Sequence, residues 1–186
     1  MNINDADLNA VILAVAARLQ QAPAMIQRSY YFDPFFFQVD FTGATNQVPA
    51  SGTIAQNFLV QNDSAFAIVR STYFVTDTNN AAVAELQPFG SGLTTGLIPF
   101  LISFSDSGSG RSLQSSAVPI NSVMGTGMWP YHWPVPKLLD PNSSFTTTIQ
   151  NLSATARNCR ITYHGYKVFG DIPTYMSIAK GAGPNL

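Results

Sequence analysis

The chain has 186 residues, 46% of them hydrophobic, and carries nine Lys and Arg against ten Asp and Glu, for a net charge of −1. This length and apolar fraction suit one domain with a sizeable core, and the charge balance supplies no basic stripe for phosphates, so we expect no nucleic-acid partner. A surface so poor in charge is weakly protected against association, which favours a chain that becomes part of an assembly.

The first predicted element is an amphipathic helix from Asn4 to Gln21, where apolar residues recur with the spacing of one helical face. Pro23 discourages its continuation. An isolated helix of this length is only marginal in water, so its apolar face must dock, either on its own domain or on a neighbouring subunit. The face, which supplies candidate interface residues, consists of Leu8, Val11, Ile12, Val15 and Leu19.

The N-terminal region shows no export signal. Asp5 and Asp7 stand where a secretory signal would carry basic residues, and the longest apolar run, 10–17, is too short to span a bilayer. The lone Cys159 is incompatible with an intrachain disulfide framework and fits a reducing compartment. We therefore expect a chain made in a cytoplasm, with no membrane partner.

After Pro23 the apolar period changes to two, which predicts β-strands separated by Gly, Pro, Asn and Asp turns. Roughly eight strands with no helix between them indicate a mainly β protein, an antiparallel β-sandwich, with a jelly roll as the preferred member of that class. A bend or bulge is expected at Gly165. The predicted strands are 35–41, 52–61, 65–76, 81–86, 98–105, 144–152 and 158–170.

The stretch 106–141 is less regular. Residues 106–116 resemble a loop tip or a hairpin turn, and a short edge strand is expected near Pro119. Three prolines between 129 and 136 favour an extended, polyproline-like path. The expected organisation is an N-terminal helical arm (1–30), a β-sandwich domain (31–170) and a C-terminal tail (171–186) ordered only with a partner.

No motif in the sequence makes a case for catalysis. There is no Gly-x-Ser-x-Gly pentapeptide and no Walker A sequence. A metal site would require His132 and His164 to meet an Asp or Cys159, and none of these residues shows a standard ligand spacing. We expect a protein that is not an enzyme and has no catalytic residues, cofactor or metal.

Residues 127–136, "GMWPYHWPVP", hold both tryptophans of the chain. Three readings remain open: packing across the chain's own sandwich, a subunit interface, or a platform that stacks sugar rings. An interface is favoured over a ligand platform because the neighbouring residues are apolar, whereas a sugar site needs convergent polar groups. Trp129, Tyr131 and Trp133 are the candidate residues.

Residues 138–170, "LLDPNSSFTTTIQNLSATARNCRITYHGYKVFG", resemble a recurring ending of tailed-bacteriophage virion proteins, similar in layout to jelly-roll capsid cement or decoration proteins. The resemblance implies a non-enzymatic structural protein of the virion, made in the host cytoplasm. It implies binding to a major capsid protein, self-association as a dimer or trimer, and a terminal arm laid across a neighbour, which would be residues 1–30. The alternative is a tail or spike module that recognises surface glycans.

Overall fold

The computed structural model describes residues 5–76 and 99–170 and has two antiparallel sheets packed as a sandwich, with helices at the N-terminal side. The predicted fold class is confirmed. In chain order the helices and strands are α1 (Asp5–Leu19), α2 (Pro23–Ser29), β1 (Tyr31–Phe41), α3 (Gly43–Asn46), β2 (Thr53–Leu59), β3 (Ala65–Thr76), β4 (Phe100–Asp106), β5 (Arg111–Ser112), β6 (Val118–Pro119), a 3₁₀ turn (Ile120–Ser122), β7 (Tyr131–Leu139), β8 (Ser144–Asn151) and β9 (Asn158–Phe169).

The strand order is that of a jelly roll. Sheet I has the order β1-β9-β3-β7 and sheet II the order β2-β8-β4-β5, with the short β6 also paired to β4. Apart from β6, the pairs are nested: β1 with β9, β2 with β8, β3 with β7, and β4 with β5. Nested antiparallel pairs of this kind are one long hairpin rolled into two sheets.

The main core lies between the two sheets and is aromatic. Alternation along the strands turns every second side chain inward, and the largest fully buried ones include Phe41, Phe66, Phe145 and Tyr163. The Tyr163 hydroxyl is buried among them and lies 2.7 Å from the Thr147 hydroxyl, so the two polar groups satisfy each other. Burial raises the pKa of Tyr163, which keeps the phenol neutral.

A second apolar core lies on the outer face of sheet I, beneath α1 and α2. Val11 and Val15 of α1 and Ile26 of α2 are fully buried, in one cluster with Tyr166 and Val168 of β9. The helix predicted at the N-terminus is therefore present, and its apolar face packs on its own domain, the first of the two alternatives that the sequence left open. The sequence did not predict α2, which begins at Pro23 because proline is well tolerated in a first helical turn.

An ion pair fastens the C-terminal end of α1 to the sandwich. Arg18 Nη2 lies 2.6 Å from Asp140 Oδ1, and Arg18 Nη1 donates to the Leu138 carbonyl oxygen at 3.4 Å. A cation in the last turn of a helix is also favoured by the helix dipole. The two ends of the contact are more than a hundred residues apart in the sequence, so this pair fixes the helix against the β7–β8 corner.

A β-bulge in β3 divides the outer face of sheet I. The register of β3 against both neighbours shifts between Ile68 and Arg70, so Val69 and Arg70 follow each other on the outer face. Val69 belongs to the apolar half under the helices, and Arg70 begins a polar half. The irregularity predicted at Gly165 is thus in the partner strand, because Gly165 is the residue of β9 that pairs with Ile68.

Two other predictions are refined by the structure. Residues 106–112 form the turn and short arm of the β4–β5 hairpin, and Val118–Pro119 is the expected short edge strand. The extended path expected for 129–136 is confirmed for 131–136, but as part of a strand, 131–139, at the edge of sheet I. Prolines are tolerated there since an edge strand has one unpaired side. The strand predicted at 81–86 and the tail 171–186 lie outside the described residues.

The buried ion pair between Asp106 and Lys137 predicts acid sensitivity. Burial is the largest single influence on the pKa of Asp106, and it raises this pKa. The opposing influences are the hydrogen bond and charge of Lys137, 2.8 Å away, and the hydrogen bonds that Ser109 and Gly108 donate. Together these outweigh burial, so the pKa of Asp106 lies below the ordinary value of 3.8. A lowered folded-state pKa gives stability that is present above the unfolded pKa and is lost as pH falls through the folded pKa. We expect Asp106→Asn to cost about 1–3 kcal/mol at neutral pH and to flatten the loss of stability below about pH 4.

Urea unfolding at several pH values checks this prediction. Asp40→Asn is the matched control, because Asp40 also pairs with a cation, the guanidinium of Arg160 at 3.1 Å, but both side chains are about half exposed. Exposed pairs contribute only about 0–1 kcal/mol, so this variant should stay close to the parent at neutral pH. An Asp106→Asn variant with the parent's full acid dependence would contradict the role of this pair.

Candidate interface surfaces

The helix residues predicted as interface candidates face the chain's own sheet I. Val11, Ile12, Val15 and Leu19 are buried against sheet I, and Leu8 is half-buried at the margin of the same cluster. Their own sheet covers the face that a neighbouring subunit was expected to cover. Of the two alternatives, the structure shows packing on the own domain.

The aromatic segment divides into a half-buried part and an exposed part. The Trp133 indole packs 5.8 Å from the Phe104 ring, centroid to centroid, and its Nε1 donates to Ser71 Oγ at 3.2 Å. Tyr131 is half-buried, with its ring 6.5 Å from that of Trp133. Trp133 therefore packs on the chain's own main core, and Tyr131 contacts Trp133.

Trp129 is different, because 72% of it is exposed and its neighbour Met128 is 80% exposed. The loop that carries them is braced: the Trp129 backbone N–H donates to Thr126 Oγ1 at 3.2 Å. A Cβ added to Gly125 would collide with the backbone of residues 129–131, so the two segments pass in direct contact there. The exposed indole thus lies on a backbone that a hydrogen bond and a close backbone approach hold on either side.

Two further largely exposed apolar residues lie on α1 and on β7, the strand that follows this loop in the chain. Helix α1 runs alongside β7 in the same direction, since Asp7 near its start lies by His132 and Arg18 near its end contacts Leu138. This course brings the middle of α1 towards the middle of β7, where Leu13 is 58% and Val135 is 70% exposed. We define the β7-edge patch as Leu13, Met128, Trp129 and Val135.

Four of the cations in the described part of the chain are paired with aspartates. Besides the pairs of Arg18 and Lys137, Arg70 Nη2 lies 3.2 Å from Asp7 Oδ2, and Arg160 pairs with Asp40. A partner that binds the β7-edge patch would contact apolar side chains and ions that are already paired. Few unpaired charges would have to be desolvated, so the desolvation penalty would be small.

Sequence analysis missed one polar cluster, on the part of sheet I that the helices leave uncovered. His132 Nδ1 lies 3.9 Å from Asp7 Oδ1, and His164 Nε2 lies 3.3 Å from Thr72 Oγ1. Burial, and to a lesser degree the charge of Arg70, lowers the pKa of His164. The alternation of "RITYH" along β9 could have predicted that His164 lies on the outer face of sheet I. No sequence pattern indicated that His132 would lie beside Asp7 of α1.

These groups do not assemble into a metal site in the part of the chain that the structure describes. No three His, Cys, Asp or Glu side chains converge within residues 5–76 and 99–170. Cys159 is fully buried, and burial raises the pKa of its thiol, which leaves it protonated. The small pocket beside it, of about 160 Å³, is lined by Thr42, Phe74, Thr76, Asn158, Cys159 and Arg160.

Comparison with known proteins leaves the chain without a family. No protein-family model matches it, and no curated protein matches its sequence. Among solved structures the chain is similar to dimeric latent PorU from Porphyromonas gingivalis, with 11% identity and a TM-score of 0.37. The match covers 76% of this chain and 13% of the PorU chain, and so weak a likeness says nothing of what the chain does. No helix among the described residues is long and apolar enough to cross a membrane.

Proposed function

We propose that the chain is a non-enzymatic structural protein of a tailed-bacteriophage virion, a cement or decoration protein that binds the major capsid protein and self-associates as a dimer or trimer. It would be made in the host cytoplasm and reside in the capsid. The observation that carries the proposal is the β7-edge patch, in which Met128, Trp129 and Val135 are 70–80% exposed on a braced backbone.

Exposed Trp and Met side chains of this kind are the residues that protein interfaces use as anchors. A loop braced by such contacts loses less conformational freedom on binding than a free one, so more of the contact energy is kept. On a shell, the same weak contact is repeated many times, and copies linked to each other bind with an avidity that one contact lacks. The jelly roll itself is compatible with this function, since viral capsid domains use it, but lectin domains and cupins use it too.

The charge distribution also supports a protein partner over a nucleic acid. Arg18, Arg70 and Arg160 each pair with an aspartate of the same chain. Cations held in this way release fewer counterions from phosphates, and counterion release is the main source of affinity for nucleic acids.

The glycan-binding alternative has less support. It requires exposed indoles flanked by polar groups. Trp129 is exposed, but Met128 and Pro130 flank it, and Trp133 is half-buried with its indole N–H already bonded to Ser71. The two indoles therefore do not form a shared stacking platform.

The proposal predicts that Trp129→Ala weakens particle binding by about 30-fold, since truncation of a central anchor commonly costs about 2 kcal/mol. The measurement is co-sedimentation of the purified chain with particles from its native source, separated on a density gradient. Leu152→Ala is the matched control, because Leu152 is also a largely exposed apolar residue, at 57%, and lies outside the patch. The control should bind like the parent chain.

The native protein gives the second readout. Mass spectrometry of gradient fractions from a lysate should find it with large particles, in near-stoichiometric ratio to an abundant shell protein. A few copies per particle would place it in a tail or vertex instead of the shell. A small species at the top of the gradient would refute the virion proposal, and glycan-array binding that Trp129→Ala abolishes would favour the alternative.

A further inference from the structure

The two sides of the sandwich differ in how their strand edges are protected. On one side β7 faces β4 and β5, as the contact of Trp133 with Phe104 shows, and prolines interrupt this side at positions 134 and 136 of β7. The strands β5 and β6 there are two residues long, and β6 contains Pro119. Prolines and very short strands are the means by which proteins prevent pairing between sheet edges.

The opposite side has much less protection. There β1 faces β2, with the rings of Phe37 and Phe58 stacked at 4.2 Å. Strand β1 has eleven residues and β2 has seven, with Pro34 the one proline in the two strands. Within residues 5–76 and 99–170, β1 pairs with β9 and with no strand on its other side. A long edge strand left open in this way is a template for another strand.

The position of Pro34 indicates which backbone groups of β1 are free. Proline has no N–H, so it fits in an edge strand where its nitrogen points away from the neighbouring strand. Pro34 is aligned with Tyr166 of β9, and its nitrogen therefore faces the open edge. Backbone direction alternates along a strand, so Phe36, Gln38 and Asp40 also present their N–H and C=O groups to that edge.

Apolar side chains surround these free groups. Phe36 is 60% exposed, and Phe35 and Phe37, which pack on the main core, are only half-buried at this side. The main core is thus incompletely covered beside β1. One added strand would cover part of this surface and satisfy the free backbone groups at once.

We infer that the open edge of β1 binds the β1 strand of a second copy of this chain, antiparallel and about a two-fold axis, so that two sheets I join into one continuous sheet. A two-fold contact uses the same surface on both subunits, and a strand edge meets this requirement because its backbone pattern is complementary to itself in the antiparallel sense. The inference rests on one part of the proposed function, self-association, and it names the edge of β1 as the surface through which two copies associate.

One register satisfies the side chains as well. If Val39 lies on the two-fold axis, Gln38 of each subunit is opposite Asp40 of the partner subunit, and the paired segment ends before Pro34. Gln38 Nε2 already donates to Asp40 Oδ2 of its own chain at 2.9 Å, so the amide and the carboxylate are suited to the same bond across the axis. Phe37 is then opposite Phe41 of the partner subunit on the inner face.

Electrostatic repulsion does not oppose this contact. The charged residues of β1 are Asp33, which lies outside the paired segment, and Asp40, which is 3.1 Å from the guanidinium of Arg160. Each Asp40 would lie opposite an uncharged Gln38. Like charges directly across a strand pair, which destabilise sheets, are therefore avoided.

The first test measures the mass of the purified chain by sedimentation equilibrium. We expect twice the chain mass of 20.1 kDa at concentrations of about 100 µM, a usual range for a weak dimer. Gln38→Pro removes a free N–H at the open edge and should weaken the dimer at least about tenfold, while Gln38→Glu does so by charge repulsion against Asp40 of the partner subunit. Thr162→Glu is the matched control, because Thr162 pairs with Gln38 on the same face but lies one strand inward.

The second test measures the register. An equal mixture of Gln38→Cys and Asp40→Cys chains should form a disulfide-linked dimer on mild oxidation, because directly opposite Cα atoms are about 5.5 Å apart. Either variant alone should not, since its own cysteines would be about 8–9 Å apart, beyond disulfide reach. The native Cys159 is buried and should not interfere.

The inference is overturned if the parent chain is a monomer at these concentrations, or if Gln38→Pro and Gln38→Glu leave the dimer intact while thermal unfolding shows both to be folded. It is also overturned if Gln38→Cys alone links as well as the mixture. Particle binding is scored separately, with Trp129→Ala expected to remain a dimer. A dimer that does not bind particles refutes the virion proposal alone, and particle binding by a monomer refutes the β1 contact alone.

Discussion

Gly165→Ala is expected to destabilise the protein by more than about 3 kcal/mol. A Cβ at position 165 would collide with the carbonyl group of Ala67 in β3, next to the bulge at Val69. The colliding atoms belong to the backbone of a central strand pair, so no side-chain rotation relieves the contact. The two strands must separate there, which disturbs both the main core and the surface on which α1 packs.

The measurement for this variant is urea unfolding followed by circular dichroism, with Gly127→Ala as the control. A Cβ at Gly127 meets no atom within 4 Å, so this variant should stay within about 0.5 kcal/mol of the parent. Equal stability of the two variants would mean that β3 and β9 do not approach each other at Gly165 as the structure has them.

Val15→Asp is expected to cost about 3–5 kcal/mol, because it removes a fully buried apolar side chain and places a carboxylate between α1 and sheet I. The predicted outcome is release of α1 from the sheet, seen as an earlier loss of helical signal than of sheet signal during unfolding. Leu13→Asp is the matched control on the same helix, since Leu13 is 58% exposed.

Leu13→Asp should stay within about 0.5 kcal/mol of the parent in stability. It should nevertheless weaken particle binding, because Leu13 belongs to the β7-edge patch. If instead Val15→Asp is tolerated as well as Leu13→Asp, α1 is not packed on its own sheet, and the helix would be available to a neighbouring subunit after all.

The fold class could be predicted because its signals are local. Period-two alternation in "FFFQVDF" and "SFTTTIQN" fixes which side chains face inward, and both segments are strands. The jelly-roll strand order is set by contacts between distant segments, such as β1 with β9, so it could only be preferred within its class. The continuous apolar run at 65–69 was an unused signal, because a strand that is apolar on both faces must be covered on both.

The candidate interface could be predicted only in part. Composition identified the aromatic segment, but the same residue types suit a core and an interface, and the structure separates them: Trp133 turns inward and Trp129 outward. The difference depends on the bulged pairing of β7 with β3, where residues 132 and 137 of β7 face Arg70 and Ile68. No local sequence pattern predicts this shift of register between β3 and β7. The direction in which each indole points could therefore be found only from the three-dimensional structure.

The nested pairing of the strands has a consequence for synthesis on the ribosome. Strand β9 lies between β1 and β3 in sheet I, although it is made last of the three. At about 5–20 residues per second, the roughly 120 residues between the end of β1 and the start of β9 take about 6–24 s to translate. During that interval the phenylalanines of β1 lack the strand that will cover them, and folds dominated by such distant pairings are slow to form. We therefore expect the newly made chain to depend on chaperones, and a ribosome stalled before residue 158 to hold a chain prone to aggregation.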